Sequence, residues 1–294
     1  MKYSVAIDIG GTNTRVALAD EELNIIERKQ FATDSENPDV TLGKIAEVIK
    51  SFDCDIVGAG MSCPGPLDLI NGKILTPPNL KGQWHNLKVA EELSKLINKP
   101  VYLENDANLA GLAEAVVGEG KDYNYVQFFT VSTGFVINKE IYHGAHGFGN
   151  EVANCVMMKD GPSHGSIIPG GIEAISSGTA ITSRAVKAGL DVKHAGEVND
   201  LAKAGNEVAK QIMDDAKEYL ANFIGVVYGY ADPEIVILGG SVALKIDGFV
   251  EEVEALAKER VYEIMKPYVK VRKSTLNEDS GLIGAAYLAF SKAE

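Results

Sequence analysis

The run Asp8-Ile9-Gly10-Gly11-Thr12-Asn13-Thr14-Arg15 closes the first hydrophobic segment of the chain. Adjacent glycines in a turn let backbone N–H groups face a phosphate without Cβ interference. Thr12 and Asn13 add side-chain donors, and Asp8 at the strand end can hold Mg2+ directly or through water. There is no GxxxxGK[ST] pattern, so this is not a Walker A loop. An ordinary glycine hairpin is the plainer reading of the same residues.

A second candidate is Leu103-Glu104-Asn105-Asp106-Ala107-Asn108. Here a strand gives way to a helix, and Asp106 stands at the transition. It can cap the helix, which is the common role of Asp in that place. It can also take the proton from an attacking hydroxyl, as phosphoryl transfer to an alcohol requires. Ser132-Thr133-Gly134 can hold a second phosphate by the logic of the first turn. Gly239 and Gly240 end a buried strand where backbone can approach a nucleotide, although a plain β–α turn explains them too. Glu151, after the glycine-rich stretch 144–149, and Glu173, after Gly170-Gly171, can each direct a carboxylate at a polyol. Asn79, Trp84 and His85 lie in a Pro-rich loop, in which the single Trp is read as an anchor and not as a sugar platform.

These residues need elements to position them. Hydrophobic runs at Tyr3–Ile9 and Thr14–Leu18 predict a hairpin across the glycine turn, with a third strand over Asn24–Phe31. Helical spacing predicts Thr41–Phe52, with Thr41 as N-cap, and Leu87–Ile97. Strands are expected at Asp55–Met61 and Val101–Glu104, then a helix from Asp106 to about Val117. The second part opens alike, with strands at Tyr125–Val131 and Phe135–Tyr142. Helices follow at Ala174–Ala188 (interrupted near Gly178), Asn199–Lys203, Asn206–Tyr230, Phe249–Met265 and Gly281–Ser291. Strands are expected at Ile235–Leu238 and Val269–Arg272. Two halves that each open with strand, glycine turn and strand suggest a duplication. The expected division is residues 1–117 plus the helix 281–294, and residues 118–280.

With 294 residues, 46% hydrophobic and 23% charged, the chain has the composition of a globular protein. Its formal charge of −13 and the lack of a basic stripe argue against nucleic acid and against an anionic membrane surface. There is no apolar run of transmembrane length and no signal-peptide pattern. Three scattered cysteines, Cys54, Cys63 and Cys155, without a CxxC pair, point to reduced thiols in the cytoplasm.

Taken in order, the motifs resemble the ROK family of sugar kinases and related repressors over nearly the whole chain. AIDIGGTNTRVAL resembles the family's first phosphate motif, and MSCPGPLD its sugar-side strand end. TPPNLKGQWHNL resembles the substrate loop, and LENDANLAGLAEA the catalytic segment, the most specific of the matches. IYHGAHGFGNEVAN resembles the stretch with the ExGH motif, IEAISSGTAI the segment after the zinc cysteines, and IVILGGSVA the adenosine-side turn. The resemblance implies a two-domain α/β fold of the actin/hexokinase-like (ribonuclease H-like) type, with an interdomain cleft. It implies Asp106 as general base, and Asn105, Glu151, Glu173, Gly65 and Asn79 around the sugar, with Asn154 bordering that pocket. Gly10, Gly11, Thr12, Asn13, Thr133 and Gly134 would face the ATP phosphates, Gly239 and Gly240 the adenosine, and Asp8 the Mg2+.

Two departures stand out. The family's CxCGxxGC zinc motif is replaced by Gly161–Gly171 without a cysteine, and the final His of ExGH is Asn154. Cysteines and histidine are lost together, which implies a variant without zinc. After Ser132-Thr133-Gly134 the sequence runs straight into Phe135-Val136-Ile137-Asn138, without the further glycines of the family's second phosphate loop. The expected activity is ATP-dependent phosphorylation of a hexose or hexose derivative, at the 6-hydroxyl, in a homodimer or homotetramer. The alternative is a sugar-binding regulator that no longer transfers phosphate. The phosphate motif starts at Asp8, which leaves no room ahead of it for a DNA-binding helix-turn-helix.

Overall fold

The computed structural model describes residues 2–77, 79–130, 132–276 and 279–293. Pro78 of the Pro-rich loop and Val131, the expected end of a strand, lie outside these. The first part of the chain runs β1 (Tyr3–Ile9), β2 (Asn13–Asp20), β3 (Ile25–Ala32), α1 (Pro38–Ser51), β4 (Ile56–Cys63), β5 (Leu67–Asp68), β6 (Lys73–Ile74), α2 (Val89–Ile97), β7 (Val101–Asn105) and α3 (Asp106–Val116). The second runs β8 (Tyr125–Thr130), β9 (Ser132–Ile137), β10 (Glu140–Ile141), α4 (Ile172–Ser176), α5 (Gly178–Lys187), α6 (Ala195–Lys203), α7 (Glu207–Ala231), β11 (Ile235–Leu238), α8 (Gly240–Lys245), α9 (Phe249–Lys258), β12 (Val271–Lys273) and α10 (Ser280–Ala293).

The chain forms two compact units. The first comprises Met1–Ala113, His143–Gly149 and Leu276–Glu294, and the second Glu114–Tyr142 and Asn150–Thr275. Against the expected division at 117/118, the first unit gives up the end of α3 and gains a short insert, His143–Gly149.

The first unit is built on a five-stranded sheet of order β3-β2-β1-β4-β7. β1 pairs antiparallel with β2 and parallel with β4, which in turn pairs parallel with β7. Val5, Ile7 and Ile9 of β1 are fully buried, as expected for a central strand covered on both faces. α10 lies so close to the sheet that a Cβ on Gly60 would stand 2.0 Å from the carbonyl oxygen of Ala285.

The second unit repeats the plan. Its sheet has the order β10-β9-β8-β11-β12, again an antiparallel hairpin followed by two parallel strands. The repeat that was only suggested by the two strand–turn–strand openings is therefore explicit in the topology. α7 begins at an N-cap, Asn206, whose side chain accepts from Ala209 N.

Three helix boundaries differ from expectation. The N-cap of α1 is Asn37, which accepts from Asp39 N ahead of Pro38 in the first turn. Thr41 is instead buried inside the helix and its hydroxyl accepts from Asp34 N at 2.9 Å. α6 starts at Ala195, four residues before the expected Asn199, because His194 caps it by accepting from Glu197 N. α9 ends at Lys258, and the remainder of the expected helix is a 3-10 turn, Glu263–Tyr268, that contains Pro267. Trp84 is fully buried and donates to Asp34 O at 2.8 Å, so it is the anchor that was expected. Among the described residues no helix is long and apolar enough to cross a membrane.

Candidate active site

In the first unit, strand register gathers the chemistry at one end of the sheet. Asp8 of β1 stands beside Ser62 of β4, and Ser62 beside Glu104 of β7, while Cys63 pairs with Asn105. The carboxyl ends of three parallel strands thus open at one edge, the usual location of ligand sites in open α/β sheets. Gly65 follows β4, and a Cβ placed on it would make ordinary contact with Asn105 Nδ2 at 3.8 Å.

The β1–β2 turn closes through Gly10 N donating to Asn13 O at 2.9 Å, and Thr12 O accepts from Thr33 N at 2.9 Å. The side chains of Thr12 and Asn13 are exposed at its tip. A Cβ on Gly11 would fall 2.6 Å from Asn79 Cβ and 2.9 Å from its carbonyl oxygen. The expected phosphate turn and the expected sugar loop therefore touch, and only glycine permits it. Asp8 Oδ2 accepts from Arg15 Nε at 3.0 Å and Nη2 at 2.7 Å. Arg15 also lies 3.9 Å from Asp279, which Arg28 pairs as well. Arg15 is thus directed at carboxylates.

Asp106 is the first residue of α3, but the cap is shared. Asn105 Oδ1 accepts from Ala107 N at 2.9 Å and Asn108 N at 3.4 Å, whereas Asp106 Oδ1 accepts from Ala107 N at 2.8 Å. The Asp106 carboxylate is open to solvent yet set deep among protein atoms. This desolvation, with the negative charge of Asp8, raises its pKa above the ordinary 3.8, against the Ala107 hydrogen bond. The thiol of Cys63 is pushed up by burial and then by Asp106 and Asp8, so it is not a nucleophile.

The second unit holds the other candidates. The expected turn at Ser132-Thr133-Gly134 is strand β9. Thr130 pairs with Ser132, whereas four residues separate the corresponding pair Ile9 and Thr14 in the first hairpin. Thr133 is buried and its hydroxyl donates to Asn150 O at 2.8 Å, while Gly134 pairs with Phe128.

Glu173, at the start of α4, is tied to the 151–155 segment by the backbone. Its N–H donates to Ala153 O at 3.2 Å, and Ile172 N to Cys155 O at 2.9 Å. These bonds bring Glu151, Asn154 and Glu173 into one neighbourhood. Burial raises the pKa of Glu173, and His164 opposes the shift. A cavity of about 350 Å³ is lined by Glu173, Thr130, Ser132, Ser177, Gly239 and Gly240, among others. Gly240 has φ +79°, and a Cβ on Gly239 would lie 2.6 Å from Phe128 Cζ, so both need glycine.

Asn154, where the family places a zinc-binding His, accepts from Ile168 N at 2.9 Å. Met157 N donates to Gly170 O at 2.8 Å, and His164 pairs with Thr179 Oγ1 at 3.0 Å. The donor set does not fit zinc: an amide oxygen already engaged stands in place of an imidazole, and among the described residues no three His, Cys, Asp or Glu side chains gather around a metal position.

Sequence reasoning gave no role to Glu104 and considered His143 only as one of a loose set with Cys155, His146 and His164 for a metal. Glu104 is buried and lies 2.6 Å from His143 Nε2. The signal was a Glu immediately ahead of Asn105-Asp106, and its partner is 39 residues away in the chain.

The chain is 31% identical to a glucokinase of Thermotoga maritima, over 96% of this chain and 95% of that protein. It is 29% identical to an N-acetylmannosamine kinase of Salmonella heidelberg, over 97% and 98% of the two chains. The ROK hexokinase structure from Thermus thermophilus superposes with a TM-score of 0.87, at 26% identity and over 99% of both chains. Hairpin-led paired sheets, the Asn105-Asp106 junction and these likenesses agree with the ROK family model, which matches residues 4–292, and the chain belongs to the ROK family.

Proposed function

We propose that this ROK-family sugar kinase transfers the γ-phosphoryl group of ATP to the 6-hydroxyl of a hexose or hexose derivative, with Asp106 as general base. The observation that carries this reading is the register of β1, β4 and β7, which brings Asp8, Gly65, Asn105 and Asp106 to one sheet end, with Gly11 against Asn79.

Asp106 accepts the proton of the sugar hydroxyl. The hydroxyl oxygen bonds to the γ-phosphorus as the bond to the bridging oxygen of ADP breaks. A raised pKa suits this role, because a stronger base receives the proton more readily. Asn105, Gly65 and Asn79 are the sugar-side candidates of the first unit, and Glu151, Asn154 and Glu173 those of the second. Gly10 closes the turn from which Gly11, Thr12 and Asn13 present donors to the phosphates, Thr133 and Gly134 support the second hairpin, and Gly239 and Gly240 admit the adenosine. Asp8, whose Oδ2 is held by Arg15, would hold Mg2+. When bound, Mg2+ neutralises phosphate charge. A cytoplasmic homodimer or homotetramer belongs to the same proposal.

The test is a coupled ADP-release screen over D-glucose, D-fructose, D-mannose, N-acetyl-D-mannosamine and N-acetyl-D-glucosamine. Product NMR locates the phosphate, and Asp106→Asn is the control. Turnover of one sugar, lost in that variant, supports the reading. Near-normal turnover by Asp106→Asn removes its base role.

A second reading, a sugar-binding regulator without phosphoryl transfer, is favoured by one observation, the run Ser132-Thr133-Gly134 lying within strand β9 and not in a turn. Calorimetric sugar binding with no product from any sugar in the screen would select it.

A further inference from the structure

Glu104 is a buried carboxylate with both oxygens engaged. Oε1 accepts from Asn105 N at 2.8 Å and from Asn108 Nδ2 at 2.8 Å, and Oε2 lies 2.6 Å from His143 Nε2. A buried carboxylate is costly unless paired and hydrogen-bonded, so these donors are required where they stand. His143 opens the insert His143–Gly149, which packs in the first unit although the chain before it and after it belongs to the second. The insert closes on itself, with Gly149 N donating to His143 O at 2.8 Å.

We propose that His143 is a positioning residue for the sugar: through Glu104 it holds the first turn of α3, which carries Asn105 and Asp106, and it pins the insert to the first unit. The proposal rests on the reading of Asn105 and Asp106 as sugar-side residues. Asn105 N and Asn108 Nδ2 share one oxygen of Glu104, so withdrawing His143 from the other oxygen frees the carboxylate to move with both. Asn105 and Asp106 are the residues next along the chain.

A cavity of about 430 Å³ is lined by Glu104 and His143. The ionisable groups facing it are Glu104 and Tyr102 from β7 and Lys292 from α10; β5, β6 and α2 with their connections contribute Leu69, Ile70, Gly72 and Ala90. The hydrogen bond to Glu104 raises the pKa of His143 above 6.5, against desolvation and the Lys292 ammonium. A raised imidazole pKa means that the pair is at full strength below 6.5 and loses its charge as pH rises through the raised value. His143 therefore weakens sugar binding on the alkaline side, whereas protonation of Asp106 stops turnover on the acid side.

Two variants test this. His143→Gln keeps an N–H donor for Glu104 without a titrating group, and His143→Phe removes the donor. Sugar KM and kcat are measured across neutral pH with D-glucose and N-acetyl-D-mannosamine. Amide exchange is followed over residues 104–108 and 143–149, and the His143 imidazole is titrated by NMR. His143→Phe should raise sugar KM by about tenfold, as expected for loss of a charged buried hydrogen bond, with a smaller change in kcat. It should also speed exchange in both segments. His143→Gln should restore most of the KM and remove its rise above neutral pH, and Glu104→Gln should return the His143 titration to its ordinary value. Wild-type KM and exchange in His143→Phe, or an unchanged alkaline KM profile in His143→Gln, overturns the proposal. If neither sugar is turned over, exchange and titration still decide. If Asp106→Asn keeps its activity, the base reading fails while the His143 results stand on their own.

Discussion

Asp8 stands close enough to Asp106 for its negative charge to add to desolvation in raising the Asp106 pKa above 3.8. The two carboxylates differ in their partners: Asp8 Oδ2 is held by the Arg15 guanidinium, whereas Asp106 Oδ1 accepts from the backbone N–H of Ala107.

Asp106→Asn is expected to lower turnover by about 10²–10⁴-fold, the usual contribution of a positioned base, with little change in sugar affinity by calorimetry. The folded state holds the Asp106 proton more tightly than the unfolded chain does. Ionised Asp106 therefore costs stability above the raised pKa, and the cost fades as pH falls through that value toward 3.8. The Asn variant should melt higher than wild type at neutral pH, and the gain should vanish in acid. A variant no more stable at neutral pH would contradict the desolvated setting.

Gly11→Ala forces a Cβ to within 2.6 Å of Asn79 Cβ unless the turn or the loop moves. Separating them should raise KM for both ATP and sugar, while the fold survives as judged by circular dichroism. An effect on ATP alone would mean that Asn79 does not line the sugar pocket.

Gly284→Ala tests the packing of α10. The new methyl would lie 2.0 Å from the carbonyl oxygen of Leu109 in α3, and backbone cannot yield as a flexible side chain can. Overpacking of this kind costs about 1–3 kcal/mol. Urea denaturation should show a lowered midpoint with an unchanged slope.

Lys139→Met tests a clasp in the second unit. The Lys139 ammonium donates to the carbonyls of Lys121 at 2.7 Å, Tyr123 at 3.0 Å and Gly120 at 3.4 Å, and also to Ala115 O. Desolvation lowers its pKa, against the negative charges of Asp122 and Glu234. Losing it should cost about 1–3 kcal/mol, as for carbonyls left without a donor, and amide exchange should quicken over residues 115–123. Exchange at wild-type rates there would show that the contacts carry no stability.

Local signals made much of this protein legible. Strand runs, the glycine turn after Asp8, the strand-to-helix change at Asp106 and the interruption near Gly178 all depend on neighbours in the chain, and sequence reports neighbours directly. The lack of further glycines after Gly134 was visible in the sequence, but the placing of Ser132-Thr133-Gly134 inside strand β9 was not. Helix ends were read less well: Asn37 and Pro38 outcompeted Thr41 because a cap is decided by which residue stays outside the helix. The remainder belonged to tertiary structure. That Gly11 must be glycine because of Asn79, that Asp8 is held by Arg15, and that Glu104 is paired with His143 depend on strand register and on loops returning from distant sequence. The sequence by itself determined which groups could do chemistry. The fold decided which of them are desolvated, paired or left open, because those properties come from atoms that are remote along the chain and adjacent only in space.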